Sequence, residues 1–133
     1  MINLGGKGTY STGKSPVYTY SHVGTIAGVK ILKPINETKA YKLPEESHSA
    51  NTSYVLLDKN GVFHQYREYN ENHEVVFEIG YHHEPSFGRG DILHAHIHTK
   101  PGVANHNAAK RVILHPGHPI YEKYKVLFKG VKS

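Results

Sequence analysis

The chain has no cysteine, and that single absence removes disulfide frameworks, thiolate zinc sites, cysteine nucleophiles and redox chemistry at sulfur. It has no apolar run near the roughly 18 residues of a membrane span. Its opening, MINLGGKGTYSTGKS, lacks the apolar centre of a signal peptide. The expectation is a soluble domain without a membrane span, whose export would rely on an address carried by a larger precursor or a partner. No internal repeat, linker or low-complexity block divides the sequence, so one domain over residues 1–133 is expected, with a loose Gly-, Ser-, Thr- and Tyr-rich arm over about residues 1–20.

What is present suits a folded domain. With 133 residues, 38% of them apolar, the chain can bury a core. A formal charge of +5 favours a polyanionic partner, nucleic acid first, against the plainer alternative of charge carried for solubility. Twelve histidines add to this, because imidazole is the side chain that gains charge near pH 6.

Along the chain, HVGTIAGVKILKP (residues 22–34) reads as a short helix or, in preference, a strand ended by Pro34, and NETKAYKLPEES as a surface loop with at most one helical turn. SYVLLDKNGVFHQYREY has two β-rich runs around Asp58-Lys59-Asn60-Gly61, and Asn-Gly marks a hairpin. A polar turn at Asn70 to Asn72 leads to a third strand, Glu74 to Tyr81, and DILHAHIHT adds a fourth. A short helix over Asn105 to Val112 with Asn105 as its cap, and a last strand around Tyr124, Val126 and Phe128, complete the expectation. The fold class is α+β: an antiparallel meander with one or more short helices packed to one side.

Alternation along a strand turns His94, His96 and His98 to one face, about 7 Å apart, and Leu93, Ala95 and Ile97 to the other. His82 and His83 lie just upstream. Two chemistries suit such a cluster. Imidazoles can hold zinc or another divalent metal, with Glu84 or Asp91 as further ligand or supporting group. Alternatively, a pair of histidines can cut RNA without metal, one taking the proton of the ribose 2′-hydroxyl and the other protonating the leaving 5′-oxygen, while a cation stabilises the charged phosphorane. The cations Arg89, Lys100, Lys110 and Arg111 repel a metal ion and attract phosphate, which favours the second chemistry with no cofactor. A third reading is a non-enzymatic module that holds nucleic acid on its basic, tyrosine-rich surface. His22, His48, His64 and His73 read as surface residues, and His115 and His118 as decoration of a Pro-Gly turn.

The run YVLLDKNGVFHQYREY, VVFEIGYHHE and ILHAHIHTKPG, over about residues 53 to 102, resembles the C-terminal toxin domains of bacterial polymorphic toxins. Several of those share a D-x-N-G hairpin, a segment ending at a histidine and a following His-x-His element. The resemblance implies a small cytotoxic ribonuclease of the broad barnase, EndoU, colicin and RelE type, usually metal-independent. It further implies a domain secreted or delivered as part of a larger bacterial protein, monomeric, acting in the target-cell cytoplasm and restrained by a cognate immunity protein. Matched position by position, the histidine after EIGY is His82 or His83, and the His-x-His element is His94 with His96 or His96 with His98. The chain departs from the pattern at Gly80, where an acidic residue is common, and in having an extra histidine in each cluster. The two histidines and lysine of EndoU enzymes proper are not traceable in it.

Overall fold

Short turns set the register of the sheet. Ala27 and Gly28 both have positive φ, 49° and 83°. That pair is the two-residue hairpin turn whose twist matches its strands, and it joins β1 (Tyr20–Ile26) to β2 (Val29–Pro34). Between β3 (Ser53–Leu57) and β4 (Phe63–Tyr69), the Asp58 carboxylate accepts the amides of Asn60 and Val62 at 2.8 and 3.0 Å. Between β4 and β5 (Val75–His83), Asn70 Oδ1 accepts the amides of Asn72 and Glu74 at 2.8 and 3.0 Å. In each case a short polar side chain substitutes for backbone partners at the turn. The computed structural model describes residues 20–34, 42–83 and 90–131, apart from the His83 side chain.

These strands and two more, β6 (Asp91–Ile97) and β7 (Lys110–Ile113), form one seven-stranded sheet in chain order from β1 to β7. Every neighbouring pair is antiparallel except β2 and β3, which run parallel. The expected meander from residue 53 to the fourth strand is therefore present as β3 to β6. Among the described residues no helix is long and apolar enough to cross a membrane.

The sheet buries both faces. On one, Val55, Phe63, Tyr66, Ile79, Leu93 and Ala95 pack against Leu114, Leu127 and Phe128. On the other, Leu32, Leu43, Tyr54, Leu56, Tyr69 and Val75 form a smaller cluster at one end. Residues 42–47 are a loop, as expected, but they do not lie open on the surface: Leu43, Pro44 and Ser47 are buried. Polar side chains of β4 hold the loop there. Gln65 Oε1 accepts the Leu43 amide at 2.7 Å, and Tyr69 donates its hydroxyl to the Pro44 carbonyl at 2.6 Å.

Helix is scarcer than the α+β expectation allows, and two segments exchange roles. The helix expected over Asn105–Val112 is a 3-10 turn over Val103–Ala108, after which Lys110–Ile113 pairs with β6. β-Branched Val112 and Ile113 gain more from a half-buried ladder than from a helix. The turn is entered from Gly102 at φ 102°, and Asn105 donates its side-chain amide to the Pro101 carbonyl rather than capping. The expected last strand is instead α1 (Pro119–Tyr124) followed by a 3-10 turn over Lys125–Leu127. His118 caps α1, its Nδ1 accepting the Ile120 amide at 3.1 Å, with Pro119 in the first turn. Ile120, Tyr121 and Tyr124 pack onto the larger core at helical spacing.

The Phe63 and Phe128 rings meet edge to face at 5.1 Å between centroids, which fastens the C-terminal segment to the sheet. Phe128→Ala is expected to lower stability by about 3–5 kcal/mol, measured by urea denaturation. A loss under about 1 kcal/mol would show that the segment docks without this contact.

Candidate active site

Residues directly opposite one another on antiparallel strands share a face, and the register here builds two lines across four strands. The first is Arg67, Glu78, His96 and Arg111. The second is Gln65, Gly80, His94 and Ile113. Both lie on the face of the smaller core. They run beside it as a polar strip whose members are largely buried: His94 is 0% and His96 3% exposed.

Glu78 is the centre of the strip. Its Oε1 accepts from Arg67 Nε at 2.9 Å, and Arg67 Nη1 also donates to the carbonyls of Leu43 and Pro44 at 2.9 and 3.0 Å. Its Oε2 faces His98 Nε2 at 3.1 Å and His106 Nδ1 at 2.6 Å. Burial pushes the Glu78 carboxyl up, but the Arg67 guanidinium and His106 outweigh it and hold the group at about 2. The carboxylate is thus ionised, so each facing ring nitrogen is the donor. This orientation leaves His106 Nε2 as the nitrogen through which that ring can exchange a proton. Buried His98 Nδ1 then has no hydrogen-bond partner among the described residues.

Around this carboxylate the imidazoles form a continuous row. Ring centroids are 5.9 Å apart from His64 to His82, 4.8 Å from His82 to His94 and 5.0 Å from His94 to His96. His96 stacks on His106 at 4.3 Å, and His106 lies 6.0 Å from His98. His94 Nδ1 sits 2.8 Å from the Ile92 carbonyl, so that nitrogen carries the proton. Burial, followed by the repulsion of His106, pushes His96 down to about 4 against the pull of Glu78, and the ring is neutral at pH 7. Gly80 leaves room for the row. A methyl group at its Cβ position would lie 2.8 Å from His82 Nε2 and 3.3 Å from His94 Cε1. Any side chain at this position, the acidic one of the toxin pattern included, would have to displace the His82 ring.

Gln65, Arg67, Glu78, His82, His94, His96 and His106 line a pocket of about 170 Å³. Cofactor and drug-like sites usually run from about 300 Å³ upward, so the pocket suits a compact group such as a phosphate. Of the residues expected from the sequence, His82, His94 and His96 meet in it, and His98 reaches the same carboxylate. Arg111 stands across from His96, its Nε buried without a hydrogen-bond partner among the described residues. Lys110 is exposed and, being adjacent in the strand, belongs to the opposite face. Lys100 is exposed in the bend after β6. Arg89, Glu84 and the His83 side chain lie outside the described residues, as does the expected arm up to residue 19. Asp91 is exposed at the start of β6, in register with His83 and away from Glu78.

The sequence reading missed Glu78, Arg67, Gln65 and His106. Glu78 was open to discovery: it lies between apolar Phe77 and Ile79, and two steps of strand alternation back from His82 turn it to the histidine face. Nothing in the sequence announces His106, because it joins the row through the 3-10 turn over Val103–Ala108. As to metals, Glu78, His98 and His106 form the group among the described residues whose ligand atoms all lie within 4.8 Å of one another.

Two measurements check this geometry. Gly80→Ala should retain the fold, because the far end of the His82 ring can swing away, while the NMR signals of His82 and His94 shift. Unmoved signals would mean that the row tolerates a Cβ at this position. In chelated buffer, stability should fall on acidification in two steps. His96 is depressed to about 4 from its ordinary 6.5, so the unfolded chain takes up its proton first and stability falls as pH drops from about 6.5 to about 4. Glu78, depressed to about 2 from 4.5, contributes stability above about 4.5 that is lost as pH falls towards 2. His96→Gln should remove the upper step in melting temperature and keep the lower. An upper step of undiminished size in this variant would assign it to another group.

No family model, curated protein or solved structure matches the chain, and the reading of the site rests on its own geometry.

Proposed function

We propose that the chain is a ribonuclease that cleaves RNA by metal-independent transesterification, with the scissile phosphate seated in the pocket between β4, β5, β6 and residues 103–108. One observation carries the reading. A fixed, ionised carboxylate lies 2.6 Å from Nδ1 of His106, a partly exposed ring of the row, at the edge of a phosphate-sized pocket. A carboxylate so placed sets the tautomer and orientation of the ring, as in other carboxylate–histidine pairs that move protons.

In the reaction the ribose 2′-oxygen forms a bond to phosphorus and the bond from phosphorus to the 5′-oxygen breaks, leaving a 2′,3′-cyclic phosphate and a 5′-hydroxyl. One imidazole takes the 2′-hydroxyl proton and another gives a proton to the 5′-oxygen. His106 and His82 divide these two roles, because both line the pocket and both are partly exposed. Buried His94 and His96 serve as its polar floor. Arg111, whose Nε has no partner among the described residues, supplies the cation for the charged phosphorane. Arg67 is committed to Glu78 and the loop carbonyls and acts as a positioning residue. The setting proposed for the activity is that of the resemblance over residues 53 to 102: a cytotoxic domain delivered by a larger bacterial protein and neutralised by an immunity protein.

His106→Ala is the cleanest test, since the ring is 36% exposed and sits in a turn outside the sheet. Assayed on total RNA in EDTA, it should lose cleavage by about 100-fold or more, with its melting temperature little changed. His22→Ala, at an exposed position of β1, should cleave like the wild type. Full cleavage by His106→Ala would remove the site assignment. RNA that is bound but left intact by the wild-type chain would instead favour the non-enzymatic binding module.

A further inference from the structure

The two oxygens of Glu78 have different surroundings. Oε1 is held by Arg67, which is itself fixed on the loop carbonyls, while Oε2 is shared by two imidazole nitrogens. We propose that Glu78, His98 and His106 form a binding site for a transition-metal dication of the zinc and cobalt class, and that occupancy of this site stops RNA cleavage.

The donor set of one carboxylate oxygen and two imidazole nitrogens, all within 4.8 Å of one another, suits these metals and not the oxygen-seeking magnesium or calcium. Two histidines and a glutamate leave a fourth position open, as in zinc sites that bind an exchangeable group. The carboxylate is oriented by a partner on its other oxygen, the kind of outer support that metal ligands normally have. The His98 side chain is 0% and Glu78 3% exposed, whereas His106 is 36% exposed, so the site is rigid on two sides and reachable from the third. Binding needs a change of tautomer and a small retreat of the rings, since Oε2 and His106 Nδ1 stand at hydrogen-bond distance, 2.6 Å. His98 moves its proton from Nε2 to Nδ1, where buried Nδ1 now has no partner among the described residues, and His106 moves its proton from Nδ1 to Nε2. The positive charges of Arg67 and Arg111 lower the affinity, which fits a metal that comes and goes.

The effect on cleavage follows from His106. With Nδ1 bound to metal and Nε2 permanently protonated, the ring can no longer accept a proton from substrate. This consequence rests on the ribonuclease reading; the binding does not.

The test uses the untagged, chelator-treated chain. Titration with Co²⁺, followed by visible absorption and by competition with Zn²⁺, should show one site of the highest affinity, with Mg²⁺ ineffective. His106→Ala should weaken that site by at least about 10- to 100-fold. His115→Ala, in the exposed Pro-Gly turn, should leave it unchanged. A Co²⁺ titration without such a site, or one of equal affinity in His106→Ala, overturns the proposal. Cleavage of RNA should fall in proportion to Zn²⁺ occupancy, and undiminished or increased cleavage at full occupancy overturns the off-switch. If the wild-type chain cuts no RNA in chelator, the ribonuclease reading fails, while the Co²⁺ spectra still decide the metal site.

Discussion

The ion pair between Arg67 and Glu78 is the contact on which the site and much of its surroundings depend. Both side chains are nearly inaccessible, and a buried charge is tolerable only if it is paired and hydrogen-bonded. Each partner meets that condition and passes it on. Arg67 reaches the carbonyls of Leu43 and Pro44 and so fastens the covering loop, and Glu78 orients His98 and His106. Removal of either charge would strand the other in a low-dielectric interior, at a cost of about 3–5 kcal/mol. The polar strip is therefore part of the architecture as well as a place where chemistry can occur.

The imidazole row has the same double character. Neutral histidines can be buried without the paired opposite charge that a carboxylate or lysine needs, because their uncharged form carries one donor and one acceptor and offers a flat ring for stacking. His94 and His96 exploit this property, being as buried as the leucines of the opposite face. His82 and His106 retain solvent contact. Buried and partly exposed rings thus belong to one continuous set.

Much of the sheet was legible because its signals are local. The Asp58-Lys59-Asn60-Gly61 turn and the polar turn at Asn70 fix β3, β4 and β5, and the alternation of His94, His96 and His98 gave the correct face of β6. The ends of the chain were harder to read. Tyr124, Val126 and Phe128 alternate like a strand, but His118 and Pro119 start a helix ahead of them, and packing onto the core prevails over the alternation. Pro44 correctly marked a loop, but its burial depends on Gln65, Arg67 and Tyr69 two strands' length away. The centre of the site was hidden for a similar reason. Glu78 needs Arg67 opposite it to be stable, a pairing visible only once the register is known, and His106 arrives through a tertiary turn.

Because the sheet follows chain order, every residue of the strip and row comes from one stretch between His64 and Ile113. Neighbours in space are near neighbours in sequence, so closing each hairpin brings the next layer together at small entropic cost. A chain that had to pass unfolded through a narrow opening could rebuild this centre hairpin by hairpin on the far side, with no search for distant segments.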